Sequence, residues 1–139
     1  MQAREALAAP GVVEAIERAE AIFLAPSNPW LSIDPILSVG PIRRALLARR
    51  CPLVAVSPLI EGKAVKGPTG KLMAELGLAP TNQTISDHYA GLVDAMVIHG
   101  QDDAPANLPV ARTDTLMRGA EDRLRVAQVA LDLASGVLR

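Results

Sequence analysis

Apolar residues recur along this chain in two patterns: short unbroken runs, and longer stretches at helical spacing. Ala21-Ile22-Phe23-Leu24-Ala25, Leu53-Val54-Ala55-Val56 and Ala95-Met96-Val97-Ile98 are unbroken, as expected of strands buried on both faces of a parallel sheet. Leu108-Pro109-Val110-Ala111 is a weaker fourth run, and its proline suits an edge or a strand start. Helical spacing predicts a helix over 10–20, with Pro10 as its first residue, and a second opening at Pro41. In the second, Ile42, Ala45 and Leu46 face inward, while Arg43, Arg44, Arg49 and Arg50 lie outside. Further helices are predicted over 70–77, closed by Gly77, and over 84–93, capped by Thr84 or Ser86. The last spans 120–135, with Leu124, Ala127, Leu131 and Ala134 as its inward stripe and Gly136 as its stop. Residues 61–69 read as a polar loop.

Alternating helices and apolar strands give an α/β class with a mainly parallel sheet, in a single domain over 1–139. The first element is a helix rather than a strand, so the sheet reads as incomplete on its N-terminal side. Polar clusters follow the strands at Ser27-Asn28, at Ser57, at Gln101-Asp102-Asp103 and at Thr113-Asp114. Open α/β sheets bind ligands outside the carboxyl ends of their strands.

Composition narrows the function. The 14 basic and 15 acidic side chains leave a formal net charge of −1, which argues against a nucleic-acid footprint. Aromatic residues, on whose rings single-strand binders stack bases, make up only 2%. No apolar run approaches the ~20 residues of a membrane helix, and no secretory signal is visible. The single cysteine, Cys51, excludes an internal disulfide and reads as an inert core thiol. A cytoplasmic protein is expected.

Gly67-Pro68-Thr69-Gly70-Lys71 has the flavour of a phosphate loop, but the spacing of a Walker motif is not met. A glycine-rich turn entering a helix, with Lys63, Lys66 and Lys71 nearby, still suits an anion as well as it suits a solvated basic loop. Ser27-Asn28, set between two prolines at a strand end, favours function over a plain turn. Ser57 before Pro58 has the same position and the same ambiguity. His88 and His99 lack a carboxylate at ligand spacing, so a packed histidine outweighs a zinc pair. Asp102-Asp103 is a candidate for a divalent ion, although solvated loop carboxylates are commoner.

Five blocks in order then carry a resemblance. They are Ala25-Pro26-Ser27-Asn28-Pro29 with Ser32-Ile33-x-Pro35-Ile36, and Ala55-Val56-Ser57-Pro58-Leu59-Ile60. Ala64-Val65-Lys66-Gly67-Pro68 with Lys71-Leu72-Met73, His88-Tyr89-x-Gly91-Leu92-Val93-Asp94 and Thr113-Asp114-Thr115-Leu116-Met117 complete the set. Together they resemble the 2-phospho-L-lactate transferase family, from about residue 10 to the C-terminus. The resemblance implies a Rossmann-like sheet and a transferase of coenzyme F-420 biosynthesis. Such an enzyme moves a phospholactyl, phosphoenolpyruvyl or phosphoglyceryl group from a guanosine diphosphate ester to the deazaflavin alcohol Fo, releasing GMP, with Mg²⁺.

By the same resemblance, Ser27, Asn28 and Ser57 hold the guanosine diphosphate moiety, and Lys66, Gly67 and Thr69 lie along the donor phosphates. No general base is assigned. Family chains are considerably longer, and the acidic and arginine residues that hold Fo and metal come from their first half. This chain therefore reads as the C-terminal half of such a transferase, completed by the missing N-terminal half or by a homo-oligomer. Glu61 stands where the family usually has glycine, which puts a carboxylate beside the donor phosphates. Two other readings are a nucleotide-sugar-binding regulator of the gluconeogenesis-factor type and a noncatalytic partner module completing another chain's sheet.

Overall fold

The computed structural model describes residues 6–64 and 68–137. Gly11 adopts a left-handed φ of +84°, a conformation that favours a residue without Cβ. Helix α1 therefore begins after it, at Val12–Arg18, and Pro10 lies ahead of the helix rather than in its first turn. Strand β1 is Ile22–Leu24. The proline-rich stretch that follows is a π-helical turn over Pro29–Ile33 running into the short helix α2, Asp34–Leu37. Helix α3 is Gly40–Ala48, and strand β2 is Leu53–Val56, both close to expectation.

The expected loop from residue 61 is in part a hairpin. Strands β3 (Leu59–Ile60) and β4 (Lys63–Ala64) pair antiparallel around Glu61-Gly62. Both turn residues have positive φ, +52° and +69°, the backbone of a two-residue type I′ turn. Helix α4 is Thr69–Glu75. Helix α5 is Asn82–His88, and its cap is Thr81, whose hydroxyl accepts the Thr84 N–H; neither Thr84 nor Ser86 is the cap. Strands β5 (Ala95–His99) and β6 (Val110–Thr113) precede the long helix α6, Ala120–Gly136.

The four main strands form one parallel sheet in the order β1-β2-β5-β6, giving a Rossmann-like α/β architecture. Phe23 pairs with Val54, Ala55 with Met96, and Ile98 with Arg112. Every residue of β2 is buried, as is β5 up to Ile98. One face, with Leu53, Ala55, Met96 and Ile98, packs on Leu37, Leu46, Met73, Ile85 and Tyr89 from α2 to α5 and the turn after α5. The other face, with Val54, Val56, Ala95 and Val97, packs on Val126, Ala130 and Ala134 of α6.

Two sequence expectations are corrected here. Helix α6 buries Val126, Ala130 and Ala134, while Leu124 and Leu131 are 68% and 48% exposed and Ala127 also faces solvent. The helix carries two apolar lines, and the one with β-branched and small residues packs on the valine and alanine face of the sheet. Arg49, expected outside, has only 8% of its side chain exposed. Its guanidinium donates to the Leu46 carbonyl at 2.6 Å, the Leu92 carbonyl at 2.5 Å and Asp94 Oδ2 at 2.6 Å. That same Asp94 oxygen accepts the Leu53 N–H at 2.8 Å. A single carboxylate thus ties the end of α3 to the first residue of β2.

Asp94→Ala removes the acceptor for both donors and leaves the buried Arg49 charge without its counter-ion. The expected loss is about 2–3 kcal/mol, read as a fall in the urea unfolding midpoint. Asp94→Asn, which still accepts from Leu53, loses less.

Candidate functional site

Because all four strands are parallel, their carboxyl ends open on one side, and the polar loops gather there. At the end of β1, Asn28 Oδ1 accepts the N–H groups of Trp30 at 3.0 Å and Leu31 at 2.9 Å. This side-chain cap starts the π-helical turn and fixes which way the amide points. The Nδ2 group is buried and has no partner among the described residues. An unsatisfied buried donor costs roughly 1–3 kcal/mol, so this N–H gains by meeting an oxygen that the described residues do not supply. Ser27, beside it, is half-buried.

Ser57, at the end of β2, behaves differently. It is 1% exposed. Its hydroxyl donates to Asn82 Oδ1 at 2.6 Å and accepts the Leu59 N–H at 3.1 Å. Asn82 Nδ2 continues the chain to the Asp103 carbonyl at 3.0 Å. The hydroxyl expected to meet a nucleotide is instead used inside, joining β2, α5 and the loop after β5. Thr69 is also buried, at 2% exposure, so it too offers no surface to a phosphate. Lys66 and Gly67 lie outside the described residues. The structure therefore brings Ser27 and Asn28 together at the strand ends and keeps Ser57 and Thr69 beneath the surface.

A cavity of about 270 Å³ lies at this end, bordered by the β3–β4 hairpin, Thr81-Asn82 and Asp102-Asp103. Glu61 N–H donates to Asp102 Oδ2 at 3.1 Å, which anchors the hairpin over the cavity. Glu61 holds a left-handed backbone, a conformation better suited to glycine. The glycine expected at this position thus has a local conformational reason. A larger hollow of about 730 Å³ lies at the opposite end of the sheet, by Arg49, Arg50, Cys51 and Asp94. There Arg49 and Asp94 bond each other and backbone, with Arg49 Nε buried and unpartnered among the described residues. A parallel sheet, however, receives its ligands at the carboxyl ends of its strands, where the smaller cavity lies.

The expected magnesium finds no ready cage. Among the described residues, no three His, Cys, Asp or Glu side chains converge on one point. Glu61, Asp102 and Asp103 share the cavity wall without forming a ligand set.

One polar group that the sequence reads only as a packed histidine is engaged at the strand ends. His99 ends β5, and its Nδ1 accepts the Thr115 N–H at 3.1 Å, with Thr115 Oγ1 at 3.2 Å and Asp114 Oδ1 at 3.5 Å. The backbone contact makes Nδ1 the acceptor in the neutral ring and leaves the proton on Nε2. Its place at a strand end, rather than its spacing from His88, was the usable signal. Beyond β6, Arg125 donates to the Asp114 carbonyl at 3.0 Å and to Asp122 Oδ1 at 2.7 Å.

These features can now be set beside known proteins. The 2-phospho-L-lactate transferase CofD family matches residues 1–133. The chain belongs to that family. It is 40% identical over 134 residues to the 2-phospho-L-lactate transferase of Methanopyrus kandleri, covering 93% of this chain and 43% of that protein. A phosphoenolpyruvate transferase of Mycolicibacterium smegmatis is 36% identical over 138 residues, covering 95% of this chain and 42% of that protein. The 2-phospho-L-lactate transferase of Haloarcula marismortui is 37% identical over 124 residues. The chain thus spans about two fifths of the length of these CofD relatives. No helix among the described residues is long and apolar enough to cross a membrane.

Asp122 sets the entry to α6. Its Oδ2 accepts the N–H groups of Arg118 at 2.8 Å and Gly119 at 3.2 Å. The Arg118 N–H, followed by Arg125, holds the carboxyl below its ordinary range. A lowered pKa in the folded state stabilises the fold above the unfolded pKa, and that stability is lost as pH falls through the folded value. Asp122→Asn is therefore expected to lower the unfolding midpoint at neutral pH. The gap from wild type should close on acidification, as followed by thermal unfolding at successive pH values.

Proposed function

We propose that this chain supplies part of the donor site of a transferase of coenzyme F-420 biosynthesis. In this reading a phospholactyl, phosphoenolpyruvyl or phosphoglyceryl group leaves its guanosine diphosphate ester for the deazaflavin alcohol Fo. The alcohol oxygen bonds to the phosphorus bearing the three-carbon acid, and the bond to the guanosine phosphate breaks. GMP departs with that electron pair, and the alcohol proton is released.

The observation that carries the reading is the amide donor of Asn28, unpartnered among the described residues, beyond the end of β1 within the Pro-Ser-Asn-Pro block of a CofD chain. A phosphate or nucleobase oxygen is the kind of acceptor it lacks. Phosphoryl transfer depends mostly on positioning and on neutralising spread charge, which backbone and side-chain donors can provide. Ser27 and Asn28 meet the guanosine diphosphate moiety in this proposal, with Lys66 and Gly67 along the phosphates and Ser57 and Thr69 as supports from beneath. Mg²⁺ arrives with the donor, because it is usually held by one or two carboxylates together with substrate phosphates. The acidic cavity beside the hairpin tolerates a magnesium–phosphate complex better than a bare phosphate.

The relatives' names include both 2-phospho-L-lactate and phosphoenolpyruvate transferases, so the reading stays at the level of a three-carbon acid. The partner in this proposal is the remaining part of the family's length, or a second copy of the chain. A noncatalytic role in completing another chain's sheet also has an observation in its favour. Strand β1 lies at a sheet edge, and its Phe23 is 39% exposed.

Asn28→Asp keeps the oxygen that caps the turn but replaces the spare donor with an acceptor. Calorimetric GDP affinity in the presence of Mg²⁺ is expected to fall by about tenfold or more, as for loss of a hydrogen bond to a charged group. Circular dichroism should stay unchanged. Unaltered affinity, or equal binding of UDP, would count against the donor-site assignment.

A further inference from the structure

Two side chains that the chemistry above leaves without a role meet in the folded chain. His88, at the end of α5, and Asp34, at the start of α2, lie 54 residues apart in sequence, with His88 Nε2 and Asp34 Oδ1 at 2.9 Å. The imidazole also packs against two rings. The Trp30 centroid is 4.9 Å away at 56°, and that of Tyr89 is 5.2 Å away at 70°. His88 is mostly enclosed, with 22% of its side chain exposed.

Trp30 and Asp34 belong to the turn that Asn28 begins. Asn28 Oδ1 holds the Trp30 N–H at 3.0 Å, and the Asn28 carbonyl accepts from Ser32 at 3.0 Å and Ile33 at 3.2 Å. Asp34 N–H closes the turn on the Pro29 carbonyl. From residue 28 to residue 34 the backbone is thus one hydrogen-bonded unit. Asn28 sits at one end of it, and His88 grips it at the other end and at its first ring.

We infer that His88 is a positioning residue, which through Asp34 and Trp30 fixes the turn that presents the Asn28 amide. The inference rests on the donor-site reading for what Asn28 binds, but not for how the turn is held. His88 bonds the far end of the turn directly, so its loss frees the turn to tilt about its prolines without opening the sheet. Ile33 and Leu37, both buried, keep the base of the segment in the core and limit the change to orientation.

Trp30 is the only tryptophan in the chain, so its fluorescence reports this contact directly. The test compares wild type, His88→Ala and His88→Gln by acrylamide quenching of Trp30 and by calorimetric titration with GDP and Mg²⁺. Gln places an Nε2 donor at the same bond distance from the backbone as the imidazole Nε2. In His88→Ala, Trp30 should lose protection from quencher and GDP affinity should drop about tenfold, as expected if the displaced Asn28 amide loses its hydrogen bond to the charged ligand. His88→Gln should recover both in large part.

Unchanged Trp30 protection in His88→Ala would overturn the inference. So would lost protection with wild-type GDP affinity, because the turn would then be held for another reason. If wild type binds no GDP, the donor-site reading falls, while the quenching comparison still decides whether His88 holds the turn. Should His88→Ala fail to fold, Asp34→Asn, which keeps the shape but weakens the bond, is expected to expose Trp30 partially. An unshifted quenching curve there would overturn the inference equally.

Discussion

The rest of the fold is built around two central strands that are buried along almost their whole length. Strands β2 and β5 are parallel neighbours built, up to the terminal His99, of Leu, Val, Ala, Met and Ile buried on both faces. A parallel pair cannot be closed by a tight turn, so the chain must cross over, and the crossing segments become the helices that cover the sheet. The same geometry puts every carboxyl end on one side. The polar loops are gathered there by chain direction before any ligand is considered.

Strand β2 is held at both ends by polar contacts that reach across the fold. At its start, Asp94 takes the Leu53 N–H and the Arg49 guanidinium. At its end, Ser57 N–H bonds the Val97 carbonyl at 2.9 Å and its hydroxyl reaches Asn82. Apolar packing of small aliphatic side chains tolerates sliding and repacking, whereas directional polar contacts do not. The buried polar groups therefore set the register of the strand, and the aliphatic residues supply most of its stability.

What the sequence made legible follows from how local each signal is. The strands were readable because an unbroken apolar run is a property of four or five neighbours. Resemblance across five ordered blocks was readable for the same reason, block by block, and the family match bears it out. The hairpin at Leu59–Ala64 was not, since two-residue strands carry no periodicity and Glu61 is a poor signature for a left-handed turn. Arg49 was misplaced because its burial depends on Asp94, 45 residues away. In α6 the spacing was correct and the face was not. Leu124 and Leu131 form as good a helical stripe as Val126 and Ala130, and only the shape of the sheet chooses between them. Within the site, Ser57 looked like Asn28 in position and differs from it only through Asn82, which no local pattern reveals.

That contrast divides the polar groups at the strand ends into two kinds. Ser57, Asn82, Asp122 and Arg125 each have their hydrogen bonds met from within the chain, and so they form a frame. Asn28 belongs to both kinds at once. Its oxygen is committed to the turn, where Asp or Ser would serve as well as a cap, but its nitrogen has no partner among the described residues. Capping alone does not explain an amide at this position, because the cheaper caps would avoid a buried unsatisfied donor. The free nitrogen is what distinguishes Asn from those alternatives, and it lies where a parallel sheet receives its ligands. Arg49 Nε is likewise unpartnered among the described residues at the opposite end, so the physical case for this end as the binding end rests on the free Asn28 nitrogen together with its place beyond the carboxyl ends of the strands.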